Sequence, residues 1–212
     1  MNKKNPSSIL IASLFAISCT SLPPVAYVDI SSSLYRQAFG YKPTEISKDY
    51  YNEFEYSFAR AQFGKSKDVI LVLAYINDGV FEWVSSENIS VFTKNGRIVK
   101  TKGLPHDIDI IKQRWSLDDI NNENIFFERL NFSFPSLYLA TYKSNVLRRD
   151  NYPYTYLEQD EVGFQITENA SIKEIGWKVE NEYIYSITGD PVSTSQKIHP
   201  NLPRIQLDFY IK

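Results

Sequence analysis

Ile89-Ser90-Val91-Phe92-Thr93 and Arg97-Ile98-Val99-Lys100-Thr101 flank Lys94-Asn95-Gly96, and this stretch decides the architecture. Two runs rich in β-branched and aromatic residues surround an Asn-Gly pair, whose residues tolerate the positive φ values of a tight hairpin turn. Working outward, Val80–Val84 precedes the hairpin as another strand, entered through the turn residues Asn77-Asp78-Gly79. Val69–Ile76 is continuously apolar, which predicts a central strand buried on both faces. Further upstream, Phe54, Tyr56, Phe58, Ala61 and Phe63 follow a period close to two and predict a strand ending at Gly64. Downstream, strand-like segments recur at Ile125–Phe134, Leu137–Tyr142, Thr155–Leu157, Val162–Ile166, Ser171–Lys178, Tyr183–Ile187, Val192–Lys197 and Ile205–Ile211. Between Leu104 and Asn124 the pattern weakens to a short strand at 107–111 and a helical turn capped by Ser116. Ten or more short strands at hairpin spacing predict an all-β chain, mainly an antiparallel meander, arranged as a sandwich or an open barrel. Helix is confined to one or two short pieces, of which Ser31–Gly40 is one.

The N-terminus sets the cellular address. Lys3-Lys4 followed by the short apolar run Ile9–Ile17 describes a secretory signal peptide, and the run is too short to span a bilayer. Phe15-Ala16-Ile17-Ser18-Cys19 resembles a bacterial lipobox, which places cleavage between Ser18 and Cys19 and a diacylglyceryl group on the Cys19 sulfur. Cys19 is the chain's single cysteine, so lipidation accounts for a thiol that has no partner for an internal disulfide. The resulting organisation is a lipoprotein signal peptide at 1–18, a lipid-anchored tether at 19–30 and a single β-rich periplasmic domain at 31–212.

The formal net charge is −2, and removal of Lys3 and Lys4 with a leader that contains no acid makes it −4. A mildly acidic chain has no electrostatic reason to bind nucleic acid. Catalytic residues and a metal site are not expected. Eight glycines leave no phosphate-cradling loop, and no nucleophile elbow is present. His106 and His199 lie in loop contexts and are expected to face solvent. Asp118-Asp119, Glu158 with Asp160-Glu161, and Glu180 with Glu182 are read as acid-rich surface; a glycosidase would need two such groups facing across a cleft. Trp83 alternates with Phe81 and reads as core. Trp115 and the preceding Arg114, in the least regular segment, are the candidate contacts for a glycan or a protein partner, since exposed loop aromatics serve binding.

Several stretches together resemble the group 4 capsule polysaccharide lipoprotein family of the YjbF/GfcB type. They are the lipobox cysteine, the Ser-Leu-Tyr segment leading to Phe39-Gly40, Val72-Leu73-Ala74 with Trp83-Val84-Ser85, the block Thr93–Leu104, and an ending that runs from Tyr183 through Gly189-Asp190-Pro191-Val192 to Pro203-Arg204-Ile205. The resemblance implies an outer-membrane lipoprotein facing the periplasm, with polysaccharide-export proteins or the glycan itself as partners. It implies no enzymatic activity and no cofactor beyond the covalent lipid, and Cys19 is the one position whose role it transfers. Thr20 after the cysteine is similar to lipoproteins released to the outer membrane. The alternatives are a carbohydrate-modifying or carbohydrate-binding periplasmic protein and a general envelope assembly scaffold.

Overall fold

The computed structural model describes residues 41, 43–112, 114–120 and 124–212. The leader, Cys19, the tether and the expected helix at 31–40 lie outside the described residues. Within them the chain is all-β, with twelve strands: β1 (Phe58–Phe63), β2 (Val69–Asn77), β3 (Val80–Val84), β4 (Ser90–Lys94), β5 (Arg97–Lys102), β6 (Ile108–Lys112), β7 (Ile125–Phe132), β8 (Leu137–Tyr156), β9 (Gln159–Ile172), β10 (Trp177–Ser186), β11 (Pro191–Gln196) and β12 (Ile205–Tyr210). Each strand pairs antiparallel with the next, and β1 pairs with β12 from Phe58↔Tyr210 to Phe63↔Ile205. The meander expected from sequence is therefore an up-and-down barrel, and it is closed rather than open.

Alternation along each strand sorts the two faces of the wall. Ala59 and Ala61, Leu71, Trp83, Leu130 and Phe132, Ala170 and Ile172, and Leu207 and Phe209 belong to one buried core inside the barrel. The small alanines of β1 leave room for bulky neighbours, and the Trp83 and Phe209 rings sit 5.4 Å apart. Outside, Arg60 pairs with Asp208 at 2.5 Å and Lys100 with Asp109 at 2.7 Å. Ion pairs on the outer wall are at odds with the outward apolar band that a lipid-facing barrel requires.

Two features depart from the sequence reading. The run Val69–Ile76 is not buried on both faces: only Leu71 is fully buried, while Tyr75 and Ile76 are exposed. A barrel wall has one inner face, so a continuous apolar run must leave half its side chains outside, and here only part of that outer face is covered. The second departure is the length of β8 and β9. What reads as several short strands is one hairpin of 20 and 14 residues, turned at Leu157-Glu158. Both turn residues have positive φ (47° and 65°) without being Gly or Asn, so the usual turn signal is missing. Past the pairing Ser186↔Gly163, β9 is partnered by β8 alone, and a bulge at Asp150/Tyr152 bends the ribbon.

The ribbon tip lies against the outer wall. Tyr156 stacks on Tyr210 at 5.8 Å, and with Leu157 it joins a small exterior core built on Ile46, Phe58 and Tyr210. A helix not expected from the sequence, α1 (Lys48–Glu53), supplies Tyr51 to that core, and Phe54 follows it. Ser47 caps α1 by accepting a hydrogen bond from the Tyr50 backbone N–H. Phe58 points outward yet is fully buried, because this lid covers it.

Candidate functional site

The interior holds a charged cluster. Arg97 begins β5 directly after the Asn95-Gly96 turn, whose φ values of 49° and 74° match the hairpin read from sequence. Its guanidinium donates to both carboxylate oxygens of Glu128 on β7, at 3.0 and 2.6 Å. On the other side its Nη2 lies 3.2 Å from Glu168 Oε1 on β9. Glu128 Oε1 also accepts from the Arg114 backbone N–H at 3.1 Å. Glu168 Oε2 accepts from Asn181 Nδ2 at 3.0 Å and from the Tyr183 hydroxyl at 2.7 Å. The rings of Trp115 and Tyr142 stand 5.4 and 5.5 Å from the guanidinium carbon. Burial alone would lower the Arg97 pKa, but Glu168 and Glu128 raise it well above its ordinary value. Burial, and then the Glu168 charge, push the Tyr183 and Tyr142 hydroxyls well up, so both stay protonated donors.

Glu168 Oε1 has the ion-pair contact but no hydrogen bond. It borders a cavity of about 10 Å³ shared with Arg97, Tyr142, Asn181, Tyr183 and Gln196. Such a space holds at most one water. The cluster and the apolar core together fill the barrel, and the two carboxylates converge on one guanidinium away from solvent instead of facing each other across an open cleft. Sequence reasoning missed it because period-two alternation does not say which face of a strand is inward, so nothing local marks Glu128 and Glu168 as buried. The one available signal was a charge in phase with apolar neighbours, as in Phe126-Glu128-Leu130.

The residues singled out from sequence are distributed as follows. Trp115, expected as an exposed contact, is only 4% exposed and packs on Tyr183 at 5.4 Å. The irregular segment carrying it turns inward to join Ile120, Phe126, Val146 and Ile166 in a second core cluster, so its ring is not offered to a ligand. Arg114 stays exposed, and its backbone serves the internal cluster. Trp83 is fully buried, as read. Asp118, Asp119, Glu158, Asp160, Glu161, Glu180 and Glu182 are all exposed, in keeping with acid-rich surface. The histidines, expected to face solvent, instead stack on each other at 4.8 Å with rings 7° from parallel. His106 Nδ1 bonds to the Phe134 carbonyl at 2.6 Å, and His199 Nδ1 accepts from the Asn201 N–H at 3.0 Å. Burial, then the His106 and Lys197 charges, lower the His199 pKa to about 4. Parallel rings do not converge on a shared ion, and among the described residues no group of three His, Cys, Asp or Glu is placed to hold a metal.

The outer wall provides the concave surface. A hollow of about 770 Å³ lies over β7–β10, beside the 3₁₀ turn Lys173–Ile175. Phe127, Lys143, Lys173 and Lys178 line it with Thr141 and Ser171. Phe127 is 54% exposed, and the Lys143 ammonium stands 5.6 Å from its ring centre. Glu174, the acid at the edge, accepts the Thr141 backbone N–H at 2.9 Å; that bond, chiefly, holds its carboxyl below the ordinary value. Its volume is in the range of ligand-binding clefts. Smaller clefts of about 320 and 360 Å³ lie along the β8–β9 ribbon where Tyr154 and Tyr156 meet the wall.

The chain is similar over 99 residues to the uncharacterized lipoprotein YjbF of Escherichia coli (strain K12), at 29% identity. That alignment spans 46% of this chain and 44% of the relative, so it covers less than half of either protein. The crystal structure of the hypothetical lipoprotein YmcC from Escherichia coli (K12) superposes with a TM-score of 0.67, covering 87% of this chain and 94% of that one. At 16% identity the superposition establishes a shared fold. The family described as group 4 capsule polysaccharide lipoprotein gfcB, YjbF matches residues 32–209. A match across most of the chain, on the same barrel, makes this protein a member of the YjbF family of group 4 capsule polysaccharide lipoproteins.

Proposed function

We propose that this protein is a lipoprotein acylated at Cys19, held at the outer membrane with its barrel in the periplasm, and that it serves capsule or exopolysaccharide production or export as a non-enzymatic accessory factor. Membership of the capsule polysaccharide lipoprotein family is the observation that carries the reading. The barrel supports an accessory role over a conduit: its interior is filled by an apolar core and the Arg97 cluster, so a polymer has to pass outside it. Anchoring follows from the lipobox, since each buried acyl CH₂ contributes about 0.8 kcal/mol and two or more chains hold a protein on a membrane. Polysaccharide-export proteins and the glycan are the partners this reading implies.

Two measurements test it. Cells fed radioactive palmitate should label the protein, and Cys19→Ser should abolish the label; label on the variant, or none on the parent, removes the anchor. Deleting the gene should lower surface polysaccharide under conditions that express the capsule genes, and an unchanged amount would favour a general envelope scaffold.

A further inference from the structure

We infer that the hollow over β7–β10 is a docking groove for an anionic polysaccharide, with the sugar carboxylates on Lys143, Lys173 and Lys178 and a ring face on Phe127. The inference rests on the accessory reading above and gives that role a place on the molecule. Three observations carry it. First, the groove opposes the sign of the chain: the protein has a net charge of −2, yet three lysines gather in one hollow. Second, among the described residues no carboxylate pairs with any of the three. The nearby acid Glu174 is already engaged with the Thr141 backbone and the Arg129 charge. Third, the apolar floor is aromatic and exposed, although neighbouring β7 side chains at inward positions are buried.

The chemistry that fits is a polyhydroxylated chain carrying carboxylates. A carboxylate paired with Lys143 brings its own sugar ring toward Phe127, because that ammonium already stands over the aromatic ring. The C–H face of a sugar then covers apolar surface that water now wets. Thr141 and Ser171 supply hydroxyls along the same wall. Contacts of this kind are exposed, so each is weak and salt-sensitive, and binding depends on several acting along one polymer.

Full-length protein in detergent should bind a uronic-acid oligosaccharide such as alginate, and saturation-transfer NMR should show sugar ring protons against an aromatic side chain. Affinity should fall as salt rises. Lys143→Glu/Lys173→Glu/Lys178→Glu should weaken binding at least about tenfold, and Phe127→Ala alone should reduce the aromatic transfer signal, leaving what Trp177 in the same hollow supplies. Circular dichroism of both variants should match the parent, since all four positions are on the surface. Absence of alginate binding, equal binding to neutral dextran or to polyglutamate, or parent-like binding by the lysine variant each overturns the groove. The accessory role is read separately. Loss of capsule on gene deletion without alginate binding leaves the role and removes the groove, whereas alginate binding with capsule unchanged supports the groove and removes the role.

Discussion

At the scale of single residues, Arg97 is the position on which the interior depends. Two carboxylates share one guanidinium, with all three side chains at most 3% exposed. Removing the cation strands buried charge, so Arg97→Met should destabilise the protein by about 3–5 kcal/mol in urea titration. Neither acid can give up its charge without cost. Glu128 uses both oxygens to accept, from Arg97 and the Arg114 backbone, so an amide nitrogen in either place meets a donor. Glu168 takes its hydrogen bonds on Oε2, and its Oε1 faces Arg97 Nη2 at 3.2 Å, so an amide nitrogen meets a donor there as well. Glu128→Gln and Glu168→Gln should therefore each cost about 1–3 kcal/mol in urea titration; a parent-like midpoint for either would mean that Arg97 does not need that carboxylate's charge. His199 sets a pH dependence. Its folded pKa of about 4 lies below the ordinary 6.5, so the unfolded chain binds the extra proton between those values. Stability from this group is complete above pH 6.5 and is lost as pH falls toward 4. His199→Asn, whose Oδ1 can still accept the Asn201 N–H, should flatten the difference in unfolding midpoint between pH 7 and pH 5.

At the scale of elements, the hairpins divide into two kinds. The β4–β5 turn is legible from Asn95-Gly96 alone, and the interior then locks it: Tyr185 donates to the Asn95 carbonyl at 2.8 Å and Gln196 Nε2 to the Gly96 carbonyl at 3.1 Å. The β8–β9 ribbon is not legible, because Leu157-Glu158 has no turn chemistry of its own and is held by tertiary contacts at the exterior core. Gly163 marks where that ribbon leaves the wall. A Cβ there would overlap the Tyr185 carbonyl oxygen, which belongs to the adjoining β10 backbone and cannot rotate away. Gly163→Ala should cost about 2–3 kcal/mol and broaden the NMR resonances of β9 and β10. A parent-like unfolding midpoint would mean the two strands are looser there than their register implies. The helix α1 went unread for a related reason: six residues with no buried position make a poor pattern, and only the Ser47 cap announces them.

At the scale of the molecule, closure joins the two ends of the barrel's sequence. The pairing of Phe58–Phe63 with Ile205–Tyr210 removes both sheet edges, which would otherwise present unpaired N–H and C=O groups to other chains. Deleting residues 204–212 should thus abolish the cooperative unfolding transition and leave a protein that aggregates and binds hydrophobic dye. A sharp transition in the truncated chain would show that the open sheet is stable alone. Alternation and the Asn95-Gly96 turn are local properties, encoded within a few residues, and they sufficed to read an antiparallel all-β meander; the place among capsule lipoproteins came from a resemblance carried by the lipobox cysteine, the Thr93–Leu104 block and the ending from Tyr183 to Ile205. Whether that meander closes, which acids turn inward, where Trp115 and the histidines end up, and which patch of wall is left concave all depend on contacts between residues far apart in the chain. Period-two alternation says that a side chain lies on one face or the other; only the closed wall says which face is inside and what covers the rest.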